Sequence, residues 1–540
     1  MLVLSDTRVR LLAPCRGREP GCRARTLALV RLSKRLRWRL LILAASVLAV
    51  AAARQYYLRG GRLPASSVQA DAPCPSLTSR IVVFAPHCDD ETLGAGGLIQ
   101  QAVAAGARLR VVLMTNGDGF TLAAERQYHK LWVRPADYLR FARLRQRETL
   151  AALRLLGVLP ERVSFLGYPD RGLLPIWQHY WDADHPYCSP YTRDCASPYP
   201  NSLTPGTPYW AGAVVADITR ILQEENPTLI LLPHPNDNHP DHWATYALVT
   251  YSLAGMETRS FGLLNRPEIY TYLVHRGYSF PAPRGYRPGL PLLPPAALAR
   301  MDTCWLELPL TPLQVHLKYQ ATLCYRSQMR LVGGYLAGFS RANELFGLVK
   351  EGIIPLEGQT VNAHRLLFQD TARDALLRDV QPSADLVRML AWCSSDTLWL
   401  QLTARAQPRR GITYKVWLHS VPGGNPLCCE ASVGQPPKWT FPNPHYHLHP
   451  PPVSAVFDDN GLWLRVPLHA LGYPEAVMVA AEAWRLHLLV DRTATTLAYL
   501  PWARSRPATP WSADLPLRAA PGPAPAHPLA TWARDFPPCP

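Results

Sequence analysis

The sequence predicts an α/β fold: a mostly parallel, Rossmann-like sheet with helices on both faces, followed by a C-terminal β-sandwich. Three observations predict it. From residue 80 to about residue 275, short apolar, β-branched runs alternate with helix-like stretches. That is the rhythm of parallel strands joined by crossover helices. Two of those runs, Ile81-Val82-Val83-Phe84 and Leu229-Ile230-Leu231-Leu232, lead directly into clusters of imidazole and carboxylate. Beyond about Ala384 the texture changes to brief alternating runs, the period-two pattern of a β-sandwich.

Taken in order, residues 80–86 read as a buried strand and 94–105 as a helix whose glycines let it approach the sheet closely. Residues 108–115 are a second strand, closing in the turn Asn116-Gly117-Asp118-Gly119. Residues 135–156 form an amphipathic helix, with Leu139, Leu144, Leu150, Leu153 and Leu156 near one face. Strand 163–166, helix 211–224, strand 228–232, helix 241–253 and strand 268–275 complete the alternation. Two excursions interrupt it, 168–210 and 278–300. Long loops in compact domains are usually functional, and the Tyr and Trp content of the first suits a wall facing substrate. Helix character returns at 312–329 and 342–348. The later strands are 387–392, 397–402, 414–418, 461–466 and 480–490, with Pro-rich surface segments at 433–453 and 505–540.

The formal net charge of +16 is concentrated at one end: residues 1–39 hold 11 Arg and Lys against Asp6 and Glu19. Such asymmetry marks the lead-in to a membrane segment rather than a nucleic-acid footprint. Residues 40–53 are uncharged. That length fits a signal-peptide core and is short for a bilayer-spanning helix. A cleaved signal peptide (at Ala49-Val50-Ala51 or Ala51-Ala52-Ala53) and an uncleaved anchor both stand, the long basic leader favouring the anchor. Either way, residues beyond a 54–78 linker are expected outside the cytoplasm, on a single-pass membrane protein or secreted. Of twelve cysteines, Cys188 and Cys195 share a Pro- and Tyr-rich loop and are candidates for a disulfide in an oxidising compartment.

The chemistry lies in Ala85-Pro86-His87-Cys88-Asp89-Asp90-Glu91 and in His234-Pro235-Asn236-Asp237-Asn238-His239-Pro240-Asp241-His242. Both follow apolar runs, which places them at the carboxyl edge of the sheet, where open α/β sheets bind ligands. Catalytic zinc takes three protein ligands and keeps a position for water. His87 and Asp90, three residues apart on a turn, fold onto one ion, and His242 completes the set. Asp89 is then free to accept the proton of the bound water. His239 is placed to stabilise an oxyanion or protonate a leaving amine. Glu91 reads equally as a helix-start acid and as a buttress of a histidine. Cys88 reads as a small packing residue.

These residues resemble the PIG-L/LmbE-like deacetylases, whose motifs are written (A/P)HPDDE and HPDH. Cys88 replaces the proline of the first; His239-Pro240-Asp241-His242 fits the second without change. The resemblance implies zinc on His87, Asp90 and His242, Asp89 as general base, and His239 supporting the tetrahedral intermediate. Weaker echoes run through Asn116-Gly117-Asp118, through Arg145 with Glu148, and through Gly167-Tyr168-Pro169-Asp170. They imply that Arg145 faces substrate and that Asp170 binds sugar hydroxyls; the plain alternatives are a helix-surface charge and a turn former. Tyr325-Arg326-Ser327-Gln328 and Asn343-Glu344-Leu345-Phe346 resemble the family's closing helix. The likeness covers roughly residues 79–350.

What it implies is a metal-dependent amide hydrolase that removes acetyl groups from N-acetylglucosamine-type units of a glycan, glycoside or glycolipid outside the cytoplasm. Its partners are then that N-acetylated sugar and, through an uncleaved 40–53, the membrane, with no nucleic acid. The competing reading is a non-catalytic glycan-binding cell-surface protein. In it the 384–502 sandwich, with Trp392, Trp399, Trp417 and Trp463, does the work, and 503–540 is a Pro-rich tail. Tryptophans alternating along strands are equally core residues.

Overall fold

The computed structural model describes residue 68 and residues 70–503, apart from 259–265, 278–279, 299–302, 350, 357–364, 371–380, 424–425 and 442–452. The basic leader, the apolar 40–53 segment and the tail from 504 lie outside the described residues. Among the described residues no helix is long and apolar enough to cross a membrane.

The first part of the chain builds one sheet from β1 (Ala70–Asp71), β2 (Arg80–Ala85), β3 (Arg108–Thr115), β4 (Val163–Tyr168), β5 (Leu229–Pro233), β6 (Glu268–Tyr272), β7 (Thr303–Pro309) and β8 (Asn343–Val349). Their spatial order is β1-β7-β8-β6-β5-β2-β3-β4. Neighbours are parallel except where β8 runs antiparallel to β6 and β7. β2 is central, with Val83 opposite Val111 of β3 on one side and Leu231 of β5 on the other. The chain therefore turns one way out of β2 and the other way out of β5. That divergence opens the crevice characteristic of a topological switch point.

The helices are α1 (Asp90–Ala104), α2 (Thr121–Tyr128), α3 (Pro135–Leu155), α4 (Leu173–His179), α5 (Ala211–Glu225), α6 (Pro240–Thr258), α7 (Pro312–Leu323) and α8 (Arg326–Leu336). Successive strand side chains point to opposite faces. Ile81, Val83 and Ala85 thus join a core containing Leu98 of α1 and Val315 of α7. Val82 and Phe84 join a second core with Trp177 of α4, Ile218 of α5 and Leu248 of α6. Helices cover both faces, as the alternation predicts. A Cβ on Gly94 of α1 would lie 2.3 Å from the Tyr272 ring, so only glycine permits this helix–sheet approach.

The remaining strands are β9 (Gly352–Ile353), β10 (Arg365–Gln369), β11 (Leu386–Cys393), β12 (Thr397–Ala404), β13 (Thr413–Val421), β14 (Leu427–Ser432), β15 (Lys438–Thr440), β16 (Ser454–Asp458), β17 (Gly461–Pro467), β18 (Ala476–Arg485), β19 (Leu488–Arg492) and β20 (Thr496–Tyr499). They form a five-stranded sheet, β10-β11-β12-β17-β16, and a seven-stranded sheet, β15-β14-β13-β18-β20-β9 with β19 beside β18. Leu400 and Leu464 of the first share a core with Val416 and Val479 of the second. The opposite face of the seven-stranded sheet is also buried: Ala476, Met478 and Leu497 belong to the core of α4–α6. The α4–α6 layer is therefore enclosed between two sheets. The His419 ring stacks on Trp177 with centroids 3.9 Å apart. Gln178 donates to Glu482 at 2.9 Å, and the Trp243 indole donates to the Thr493 carbonyl at 3.0 Å.

Several elements differ from the sequence reading. Residues 342–348 are not helical but form β8, so Asn343-Glu344-Leu345-Phe346 lies on a strand. Leu345 and Phe346 are both buried because β8 has core on both faces, and periodicity cannot separate such a run from a buried helix. The helix at 312–329 breaks between α7 and α8; Tyr325 leaves it, and its hydroxyl meets Thr92 at 2.7 Å. The 480–490 run is the end of β18 and the start of β19, turning at Leu486, whose φ is 56°. β9 and β10 precede residue 384 yet join the later sheets. Trp417 is a core residue, meeting His179 edge-on at 5.1 Å. Trp392 and Trp399 lie parallel across β11 and β12, 6.0 Å apart, and Trp463 is edge-on to Trp392 at 5.7 Å. Cys188 and Cys195 are joined by a disulfide.

Candidate metal centre

Both motifs sit at the crevice. After β2, the Pro86 carbonyl accepts the Thr115 backbone N–H at 3.0 Å and the Thr115 hydroxyl at 2.9 Å. The chain then turns through His87-Cys88-Asp89 into α1, and Asp90 and Glu91 occupy its first turn. Asp90 Oδ2 accepts the His87 backbone N–H at 2.9 Å and lies 3.1 Å from His87 Nδ1. From the neighbouring strand end, α6 delivers His242 in its first turn, with Nε2 3.0 Å from the same Asp90 oxygen.

His242 is held from behind. Its Nδ1 lies 3.2 Å from Asp237 Oδ2, which also accepts the backbone N–H groups of Val274 and His275 at 3.1 and 2.8 Å. Asp237 Oδ1 accepts the His239 N–H at 2.9 Å. Asp237 and Asp90 together hold the His242 imidazole up at about 9, against the downward pull of burial. Both His242 nitrogens are fully buried, and neither carboxylate contact has hydrogen-bond geometry. Buried nitrogens aimed at carboxylate oxygens without a proper hydrogen bond are what a cation site presents, and the His and Asp donor set fits zinc. Three overlapping triads could hold an ion: His87 with His239 and His242; Asp90 with His242 and His275; His87 with Asp170 and Asp241. Within each, the donor atoms lie within 4.8 Å of one another.

Asp89 stands beside this cluster in a costly conformation. Its φ of 144° is one that side chains other than hydrogen rarely adopt. Burial lifts its carboxyl to about 8, against the pull of Arg145. Arg145 is not on a helix surface: it is buried, with Nη2 3.4 Å from Asp89 Oδ2 and donating to the Cys88 carbonyl at 2.7 Å. Its path crosses Gly117, φ 64°, where a Cβ would sit 1.7 Å from Nη1. The predicted turn glycine thus clears the way for the guanidinium. Cys88 is fully buried, its thiol pushed up to about 12 by burial. Glu91 is tied by the Tyr325 hydroxyl, and burial lifts it to about 7.

Asp170 is also buried and close to the imidazoles. Its Oδ1 is 3.3 Å from His87 Nε2, and its Oδ2 accepts the Gly119 N–H at 2.9 Å. Asp118 accepts the Asp170 N–H at 3.0 Å and the Tyr199 hydroxyl at 2.5 Å. The aromatic excursion therefore reaches the centre through Tyr199 and Asp118. His239 Nδ1 accepts the Asp241 backbone N–H at 3.2 Å. That contact places the His239 ring proton on Nε2. Burial holds His239 well below its usual range, hence neutral.

The structure brings His87, Asp89, Asp90, Arg145, Asp170, His239 and His242 to one crevice. Sequence reasoning misses Asp237, Asp241, His275, Asp118 and Tyr199. Asp237 and Asp241 lie inside the second motif and were available as acids beside ligands. His275 is the last residue of the strand read as 268–275; the observed strand ends at Tyr272, which leaves His275 just past the sheet edge that carries the motifs. Nothing in the sequence links Tyr199 to Asp118.

A doubly wound sheet with an imidazole–carboxylate cluster at its switch point defines the class: an α/β protein with a candidate metal centre. Residues 82–252 match the family described as PIG-L: GlcNAc-PI de-N-acetylase. Over this region the chain is similar to the PIG-L/LmbE-like deacetylases. A 1D-myo-inositol 2-acetamido-2-deoxy-alpha-D-glucopyranoside deacetylase of Mycobacterium sp. (strain KMS) is 33% identical over 187 residues, covering 34% of this chain and 53% of that protein. The protein so named from Kribbella flavida is 28% identical over 191 residues, 34% of this chain and 56% of its own. The chain thus spans about half the length of the curated relatives it matches. Among solved structures, the N,N'-diacetylchitobiose deacetylase from Pyrococcus horikoshii in complex with its inhibitor MPG aligns with a TM-score of 0.31 at 23% identity, covering 50% of this chain and 83% of that one.

Proposed function

We propose that this protein is a zinc-dependent N-deacetylase acting on N-acetylglucosamine-type units of a glycan, glycoside or glycolipid outside the cytoplasm. The observation that carries the reading is the convergence of His87 and His242 on one carboxylate oxygen of Asp90, with Asp89 and His239 flanking it. The names of the relatives, all deacetylases of an acetamido sugar, support the substrate class. The Cys188–Cys195 disulfide and the apolar 40–53 segment support an oxidising, extracytoplasmic setting.

His87, Asp90 and His242 would hold the ion, with Asp237 orienting His242 from behind. Bound zinc supplies Lewis acidity toward the amide carbonyl and acidifies a coordinated water. Next to a divalent cation, the Asp89 carboxyl is drawn back toward its ionised form. It then accepts the water proton at a carboxylate oxygen, while Arg145 Nη2 holds it in place. The His239 Nε2–H can donate to the oxyanion of the tetrahedral intermediate. A proton must then reach the departing amine, and Asp89 and His239 are the groups beside it able to deliver one. Asp170, buried next to His87, is within reach of sugar hydroxyls at that mouth. The two later sheets, read as a β-sandwich, pack against the helix layer of the catalytic domain.

The test is metal content and acetate release from N-acetylglucosamine-containing substrates, with Asp89→Asn alongside. The expected result is near-stoichiometric zinc in both proteins and a loss of about 100-fold or more in kcat for the variant. Failure to bind zinc after reconstitution overturns the reading.

A further inference from the structure

We infer that the tip joining α2 to α3 is a docking surface for an anionic lipid bilayer. Leu131 and Trp132 are adjacent and 88% and 86% exposed, and Leu122, at the start of α2, is 58% exposed. Around them Arg126, Lys130, Arg134 and Arg140 are exposed. Lys130 pairs with Asp137 at 2.6 Å, and Arg330 of α8 joins the rim by donating to Gln127 at 3.1 Å. The tip is built rather than loose. Beneath it Ala123, Ala124, Tyr138 and Phe141 form a small core of their own. Folding thus spends four apolar side chains on a base that presents two others to solvent.

The composition selects the occupant. An indole beside a leucine is the pair that settles at the headgroup level of a bilayer, the indole at the interface and the leucine among the upper acyl chains. Surrounding cations are attracted to anionic headgroups. Two side chains are too few for the apolar centre of a stable protein interface, and a soluble polyanion has no use for an exposed leucine.

The position matters as well. Gly119, two residues before α2, bonds Asp170, and α3 carries Arg145 to Asp89. Arg145 is ten residues beyond the start of α3, so the tip stands about 15 Å along the helix from the crevice. This inference does not depend on the hydrolytic reading, since it concerns surface chemistry alone.

Hydrogen exchange on the full chain tests it, with the protein in nanodiscs of phosphatidylcholine alone or with one-third phosphatidylglycerol. Exchange across residues 120–134 is expected to slow about tenfold in the anionic discs. The protection should fall in about 0.5 M salt. It should fall to about two- to threefold in each of the single variants R126Q, K130Q and R134Q, and it should vanish in the double variant L131S/W132S. Exchange in β12 and β13 should stay unchanged throughout, which verifies folding. Equal exchange in the two disc types overturns the inference. So does protection by soluble dextran sulfate that matches the bilayer and survives L131S/W132S, because the tip would then be a polyanion site.

Discussion

At the scale of single residues, Asp237, inside the second motif, holds the candidate centre from behind His242. It fixes His242 from one side while accepting three backbone N–H groups. An amide there keeps the volume but replaces one acceptor with a donor, which sets it against those N–H groups and the imidazole. Asp237→Asn is expected to lower zinc affinity about 10- to 100-fold, measured by competition with a chromophoric chelator. An unchanged affinity would show that Asp90 alone positions the ring. The residues of the candidate centre could be picked out because they cluster within two short stretches that follow apolar runs. Tyr199 and Asp118 were not, because 81 positions separate them and their contact exists only once the aromatic excursion folds back.

At the scale of elements, α6 does two things. Its first turn supplies His242, and the next residue, Trp243, reaches the other way to the Thr493 carbonyl beside β19. The later sheets thereby grip the helix one residue from His242. Trp243→Phe removes that bond and leaves a buried carbonyl unpaired, at a cost of about 1–3 kcal/mol. Urea unfolding monitored on the purified variant checks this; a change below about 0.5 kcal/mol would mean that the sheets grip α6 through packing alone. α3 could be read as a helix from its spacing, but its buried face carries Tyr138, Phe141, Ala142 and Arg145, and Leu139, Leu144 and Leu150 of the expected face are only half-buried. β8 could not, since a strand flanked by core on both sides loses its alternation and its Leu-Phe run looks helical.

At the scale of the whole molecule, the α/β region and the later sheets share a core, and the sequence hides this. A composition change near residue 384 suggests a separate appended domain, because burial of the outward face of α4–α6 leaves no local mark. The seam contains a titratable group. His419, stacked on Trp177, is held down at about 3 by burial, against an ordinary value of 6.5. The folded state therefore binds fewer protons than the unfolded chain between these values, so stability is full above about pH 6.5 and declines as pH falls toward 3. The decline approaches about 1.4 kcal/mol per pH unit from this group. Denaturant midpoints at pH 7, 6 and 5 should show it, and His419→Phe should flatten the slope. An unaltered slope would assign the acid sensitivity elsewhere. The shared layer also bears on inheritance. Trp177, Met478 and Leu497 must fit one another, so neither half can drift alone or be traded between genes as a cassette. Lineages that carry this pairing are expected to have kept it since the two parts first joined.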